Sequence, residues 1–191
     1  MESLYLVRSL SLKISVVRII KRISLMLFIL LSCVGCDQAT KFIVKDYLAS
    51  AERISFWGDI VRFEYTENRG AFLSLGSSLP EEWRSLLFIM GVGLLLLALL
   101  TYLFFLAGRA QLLSIVAFSL VCGGGLSNLL DRVAYRGSVI DFLNIGFGSL
   151  RTGIFNVADV AITVGVLLLF VSGLVSHSGH AASNSLERSD L

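Results

Sequence analysis

The chain has 191 residues, 55% of them hydrophobic and 16% charged, and a mean hydropathy of +0.82. Soluble domains carry about 25% charged residues, and here the deficit is gathered into long uncharged runs, which excludes a soluble enzyme or a disordered chain. The 16 Lys and Arg against 14 Asp and Glu leave a net charge of only +2, and neither sign forms the stripe that a nucleic acid backbone requires, so no nucleic acid partner is expected.

Residues 1–22 form a basic arm, with Arg8, Lys13, Arg18, Lys21 and Arg22 against Glu2 alone. The apolar run that follows has 14 uncharged residues before Asp37, short of the roughly 20 that span about 30 Å of hydrocarbon. A spanning helix must therefore start within the basic segment or run on through Asp37. The first span is placed at about 23–42, with Asp37 and Lys41 at one membrane boundary. These two residues are four apart, so on a helix they share a face, with the acid on the N-terminal side as a favourable pair requires.

The loop that follows alternates: Val61, Phe63 and Tyr65 are apolar between Arg62, Glu64 and Thr66, which reads as a strand with one apolar face. Asn68-Arg69-Gly70 is the expected turn, Ala71 to Leu75 the returning strand, and residues 53–76 together a small sheet on the outer membrane surface. Ser78-Leu79-Pro80-Glu81 fits a capping box ahead of the second span, which Trp83 enters as a belt residue.

Uncharged runs of 24 residues after Arg84 and 21 after Arg109 place the second and third spans at about 84–107 and 110–130. Gly123-Gly124-Gly125 removes side chains in the third, so another helix can approach closely. Directly after it, Asn128, Asp131 and Arg132 at i, i+3 and i+4 share one face. The fourth span, about 154–175, begins with Asn156 and Asp159, and Asp141 lies in the short loop Val139-Ile140-Asp141-Phe142 returning towards it. Residues 176–191 are a tail, expected to be mobile. The basic arm and Arg109 mark one side as cytoplasmic, so both termini are expected inside and the acids gather at the outer face.

Ionised side chains near a span cost roughly 2.5–3.5 kcal/mol at its centre, which makes Asp37, Asp131, Asp141 and Asp159 functional candidates. Asp141 and Asp159, from different elements, have a route to one site. Other chemistries find little support: there is no H-E-x-x-H, and Gly125-Leu126-Ser127-Asn128-Leu129 lacks the second glycine of a nucleophile elbow. Cys33 and Cys36 have redox spacing but sit in an apolar helix, and with Cys122 they make neither a disulfide framework nor a zinc pattern. His177 and His180 lie in the tail without further ligands. A small proton-coupled transporter using the same acids is the alternative reading. It would expect acids near mid-membrane and repeated halves, and the sequence has neither.

Four blocks resemble one family, the lipoprotein signal peptidases (signal peptidase II) of bacteria. They are Asp37-Gln38-Ala39-Thr40-Lys41, then Asn68-Arg69-Gly70-Ala71-Phe72, then Asn128-Leu129-Leu130-Asp131-Arg132 continuing through Gly137-Ser138-Val139-Ile140-Asp141-Phe142, and Phe155-Asn156-Val157-Ala158-Asp159. Their order and their places relative to the four spans match over residues 23–175. The resemblance implies an all-α membrane protein of four transmembrane helices with a small β-sheet in the first external loop. It also implies a metal-independent aspartyl endopeptidase of the bacterial inner membrane, without cofactor, acting as a monomer among membrane lipids. Its substrates would be diacylglyceryl-modified prolipoproteins, cut just before the lipidated cysteine. On the matching positions Asp141 and Asp159 would be the catalytic pair. Asn128, Arg132 and Asn156 would position the substrate and the carboxylates. Asp37, Lys41, Asn68 and Gly70 would shape the site, with Asp131 in a structural role.

Overall fold

The computed structural model describes residues 2–49, 53–70 and 80–189. Four helical rods make the bundle. They are α1 (Glu2–Leu48), α2 (Glu81–Leu86) joined through a π-helical stretch (Leu87–Gly91) to α3 (Val92–Leu106), α4 (Leu112–Ala134) and α5 (Val157–Ser189). Each contains a segment long and apolar enough to cross a membrane: Lys13–Leu48, Leu87–Phe105, Leu112–Ala134 and Val157–Leu174. The protein is a multi-pass membrane protein, mostly helical, with a small sheet at one end.

Of the two ways expected for the first span to reach spanning length, α1 takes both: its 47 residues run unbroken through the basic segment and on past Asp37. At about 1.5 Å per residue it is roughly 70 Å long, more than twice a hydrocarbon core. The described part of residues 1–22 is helical and continuous with the first span, because nothing between Glu2 and Arg22 breaks a helix: the stretch has neither glycine nor proline. The basic stretch is tied to the bundle at its end, where Arg22 Nη1 donates to the carbonyl of Ala107 at 2.9 Å, in the turn after α3. Likewise α5 continues as helix to Ser189, through the residues expected to form a tail.

α4 is the axis of the bundle. The glycine triplet serves three neighbours rather than one: a Cβ on Gly123 would lie 2.8 Å from Cys33 Cβ of α1, one on Gly124 2.4 Å from the Ala158 carbonyl oxygen of α5, and one on Gly125 2.6 Å from a Leu96 methyl of α3. Successive helical residues turn by about 100°, so three bare positions in a row open three sides of one turn. Below this turn, Met26, Leu103, Ala107, Ile115 and Cys122 form an apolar cluster. Above it, Val44, Leu48 and Phe142 form a second, against which Phe63 and Tyr65 pack, as the alternation predicts.

The sheet is antiparallel with strand order β1, β2, β3, β4, where β1 is Ile54–Phe56, β2 Val61–Asn68, β3 Val139–Phe147 and β4 Leu150–Arg151. The expected sheet in the first loop is thus completed by two strands from the segment between α4 and α5. Val139 to Phe142, expected as a loop, opens β3: all four residues are buried, so the segment shows no apolar and polar alternation to read. The return strand at Ala71 to Leu75 and the capping box at Ser78 lie outside the described residues. Trp83, near the start of α2, is 61% exposed, as a belt residue would be.

Candidate active site

β2 and β3 carry a bulge. Phe63 pairs with Leu143 but Thr66 with Asp141, so β2 spends one residue more than β3 between these two pairs. An extra residue exchanges the faces of everything beyond it. Asn68 then stands opposite Val139, on the face shared with Asp141 two residues along, and its Nδ2 donates to Asp141 Oδ2 at 2.9 Å.

A second register fixes the other side of Asp141. Phe155 accepts from the N–H groups of Phe142 and Leu143 at 3.0 and 2.8 Å and donates to the Leu143 carbonyl at 2.8 Å. That pairing delivers the next residue, Asn156, fully buried, beside the strand, where its Nδ2 lies 2.6 Å from Asp141 Oδ1. Asn156 also stands immediately before α5. Its Oδ1 accepts the N–H of Asp159 at 2.9 Å while its own N–H donates to Asp159 Oδ2 at 3.1 Å, a reciprocal capping box. The remaining Asp159 oxygen, Oδ1, accepts from Asn128 Nδ2 at 2.9 Å. One residue therefore bridges the two carboxyl groups.

Asp141 and Asp159 are met by amide N–H groups alone among the described residues, with no cation at ion-pair distance. Burial pushes the Asp141 carboxyl up to about 6. The Asn68 amide opposes that rise, the Asp159 charge adds to it, and the Asn156 amide and Lys41 charge oppose it.

The cation is held one layer behind. Lys41, 2% exposed, places Nζ 2.6 Å from Asp37 Oδ2, 2.8 Å from Asp131 Oδ2 and 3.0 Å from Asn128 Oδ1. Every oxygen of this knot has a further donor. Asp37 Oδ1 accepts the Ala158 N–H at 2.8 Å, and Asp37 Oδ2 accepts the Ser127 hydroxyl at 2.8 Å. Asp131 Oδ1 accepts from Gln38 Nε2 at 2.7 Å, and Asp131 Oδ2 from the Ile140 N–H at 3.1 Å. The first N–H groups of a helix have no partner within it, so Asp37 of α1 serves as a cap for α5. The i, i+4 spacing of Asp37 and Lys41 is an inward pair rather than a surface one.

Asn68, Asn128, Arg132, Asp141 and Asp159 line one cavity of about 390 Å³. Its apolar walls include Val139, Ile154 and Phe155, and it continues along α5 past Val160, Thr163 and Val164. Val160 and Val164 are 45% and 41% exposed on a helix long enough to span, so the cavity joins a carboxylate pair to a lipid-facing flank. Gly70 enters through its backbone: its N–H donates to Asn68 Oδ1 at 3.0 Å and its carbonyl accepts from Arg132 Nη2 at 3.3 Å. All nine expected site residues are gathered here, with Asp37, Lys41 and Asn156 behind the wall. Gln38 and Ser127 also join the network, and each adjoins a residue expected at the site, Asp37 and Asn128. Among the described residues no three His, Cys, Asp or Glu side chains are grouped as metal ligands.

Comparison with known proteins gives this arrangement a family. The family model described as Signal peptidase (SPase) II matches residues 29–175. The chain belongs to the signal peptidase II family. Among its relatives, the lipoprotein signal peptidase of Francisella tularensis subsp. novicida (strain U112) is 32% identical over 141 residues, 74% of this chain and 86% of the relative. That of Nitratidesulfovibrio vulgaris (strain DP4) is 33% identical over 136 residues, 71% and 81% of the two chains. Two solved structures, each described as a bacterial membrane enzyme determined by the in meso method, are similar in fold at 26% identity. One has a TM-score of 0.69 over 82% of this chain and 92% of its own, the other 0.65 over 80% and 94%. As a member of the signal peptidase II family the protein is a peptidase of a bacterial membrane.

Proposed function

We propose that the protein is an aspartyl endopeptidase that removes signal peptides from diacylglyceryl-modified prolipoproteins, cutting before the lipidated cysteine. The observation that carries the reading is the bridge through Asn156, which brings Asp141 and Asp159 to one cavity wall with both carboxyl groups aimed by amides. The names of the relatives supply the substrate class.

Two carboxyl groups on one cavity wall, bridged by one asparagine, hold a proton between them more readily than either would alone, and the titration belongs to the pair. The ionised member takes a proton from water as the water oxygen bonds to the scissile carbonyl carbon. The protonated member hydrogen-bonds the developing oxyanion. Collapse of the tetrahedral intermediate breaks the C–N bond, and a proton from the dyad passes to the departing amine. Water supplies the hydroxyl of the new carboxyl terminus and no covalent enzyme intermediate forms.

A lipidated substrate must keep its acyl chains in hydrocarbon while its peptide bond meets water. The cavity meets both needs, running from the polar dyad to the exposed valines of α5. We place the sheet end on the external side of the inner membrane and both termini in the cytoplasm, on the strength of the basic residues before the first span and of Arg109. Asp37, Lys41, Asn68, Gly70, Asn128, Arg132 and Asn156 position the dyad and the substrate.

The test is cleavage by purified protein of a diacylglyceryl-modified prolipoprotein and its unlipidated counterpart, with a metal chelator present. Cleavage of the lipidated form alone, at the bond immediately before the modified cysteine, is expected. Cleavage of neither by folded protein would sink the reading and return attention to proton-coupled transport.

A further inference from the structure

Arg132 is 9% exposed and lines the cavity. Its Nη1 donates to the Asn128 carbonyl at 3.1 Å and its Nη2 to Gly70 at 3.3 Å, but Nε is buried without any acceptor. It is the one buried side-chain polar atom in that condition among the described residues. No carboxylate pairs with this guanidinium among the described residues either, although Asp131 precedes it in the chain: Asp131 is turned to Lys41. An enclosed N–H is costly to leave unmet, and such groups in native proteins call for a reason. A cationic donor held free at a cavity wall, beside a carboxylate pair, is suited to an incoming oxygen.

An aromatic ring lies beside the guanidinium. Phe88 lies with its ring centroid 5.5 Å from Arg132 Cζ, within reach of a cation–π attraction that strengthens as water is excluded. Phe88 belongs to the π-helical stretch Leu87–Gly91 between α2 and α3. A π-helical turn accommodates an additional residue and so changes the phase of the helix beyond it. Leu87 and Met90 in the same stretch are 54% and 55% exposed, whereas Phe88 is turned inward and half-buried.

We propose that Phe88 is a positioning residue that holds the Arg132 guanidinium over the cavity so that its Nε–H is presented to an oxygen of the bound peptide. The inference rests on the peptidase reading for the nature of the oxygen, and on geometry alone for the placement. A lipid-facing helix has no need to spend a phenylalanine on a cation, and an arginine already holding two carbonyls has no structural need of a free Nε.

The kinetic experiment compares cleavage of the lipidated prolipoprotein by wild type, Phe88→Leu, Phe88→Tyr and Arg132→Lys. Phe88→Leu keeps the apolar bulk without the ring and is expected to lower kcat/KM by about tenfold, while Phe88→Tyr keeps the ring and stays within about twofold of wild type. In an Arg132→Lys background, which lacks the Nε–H, Phe88→Leu should have no further effect. An equal loss in both backgrounds, or equal activity of the Leu and Tyr variants, overturns the proposal. Should Phe88→Leu fail to fold, Phe88→Met makes the same comparison.

A second readout needs no turnover. The Arg132 Nε–H resonance of ¹⁵N-labelled protein, assigned by its loss in Arg132→Lys, should be displaced by the Phe88 ring and move when Phe88 becomes Leu. A resonance indifferent to Phe88 overturns the positioning itself. Wild type that does not cleave overturns the peptidase reading, and with it the substrate half of this inference.

Discussion

Asn156 and Asp159 hold each other from both ends: the Asn156 N–H reaches Asp159 Oδ2 at 3.1 Å and the Asp159 N–H reaches Asn156 Oδ1 at 2.9 Å. A motif that elsewhere merely starts a helix here fixes one carboxyl of the proposed dyad, leaving the Asn156 side-chain N–H to hold the other. Structural and chemical roles are thus carried by the same atoms, which shapes what substitution will do.

Asp159→Asn preserves an oxygen able to accept the Asn156 N–H, so the helix start should survive within about 1 kcal/mol. Catalysis should fall by at least about a hundredfold, because an amide neither takes nor gives the proton. Asp141→Asn should be as inactive, and both variants should lose some stability. Asn68 and Asn156 both donate to Asp141, Asn128 and Asn156 likewise both donate to Asp159, and in each variant one of the two N–H groups must then face another. Cleavage assays paired with thermal unfolding in detergent check both, and normal turnover in either variant would remove that residue from the dyad.

The raised Asp141 pKa gives stability a direction with pH. An unfolded aspartate titrates near 3.9, and the folded one at about 6. Between these values the native state keeps a proton that the unfolded chain has released, so this group's contribution falls as pH rises from about 4 to about 6. Melting midpoints across that window should decline in wild type and decline less in Asp141→Asn. Asn68→Ala removes a donor that holds the pKa down, so its decline should extend to higher pH.

Lys41→Met leaves Asp37 and Asp131 buried with no cation between them. Breaking a buried pair from one side costs about 3–5 kcal/mol, and here two carboxylates lose one partner. Chemical unfolding should show a loss of that order. Adding Asp131→Asn should recover part of it, since one stranded charge is gone. Additive losses in the double variant would contradict the shared-cation arrangement.

Gly124→Ala puts a methyl 2.4 Å from the Ala158 carbonyl oxygen, backbone that cannot swing aside. Overpacking of this kind costs about 1–3 kcal/mol. The displaced element is the first turn of α5, which carries Asp159, so activity should drop by about a hundredfold, as small misplacements of reacting groups do. Gly173→Ala, in the same helix with nothing within 4 Å of the added methyl, should leave cleavage unchanged.

Much of the bundle was legible because charge and its absence are read at the scale of a span. The pairing of Asp37 with Lys41, and of Asn156 with Asp159, was legible because helical spacing is local. What escaped was anything set by two partners at once. β3 hid because its buried start removes the alternation that marks a strand, and the bulge in β2 because neither strand alone reveals its partner's register. Asn128, Asp131 and Arg132 share a face by spacing, yet they serve three ends. Asn128 joins Lys41 to Asp159, Asp131 faces Lys41, and Arg132 turns to Gly70 and Phe88. Gly123-Gly124-Gly125 announced one close approach and delivers three, since sequence shows a missing side chain but not who fills the space.

The bond from the Ala158 N–H to Asp37 joins residues 121 apart in the chain. During synthesis the first helix enters the membrane with its Asp37 and Lys41 pair long before the last helix exists to be capped by it. The dyad cannot be assembled from a partial chain, because Asp159 and the asparagine that aims it arrive with the final span. On the proposed reading the nascent chain is inactive, and it becomes competent only when its last helix has found its first.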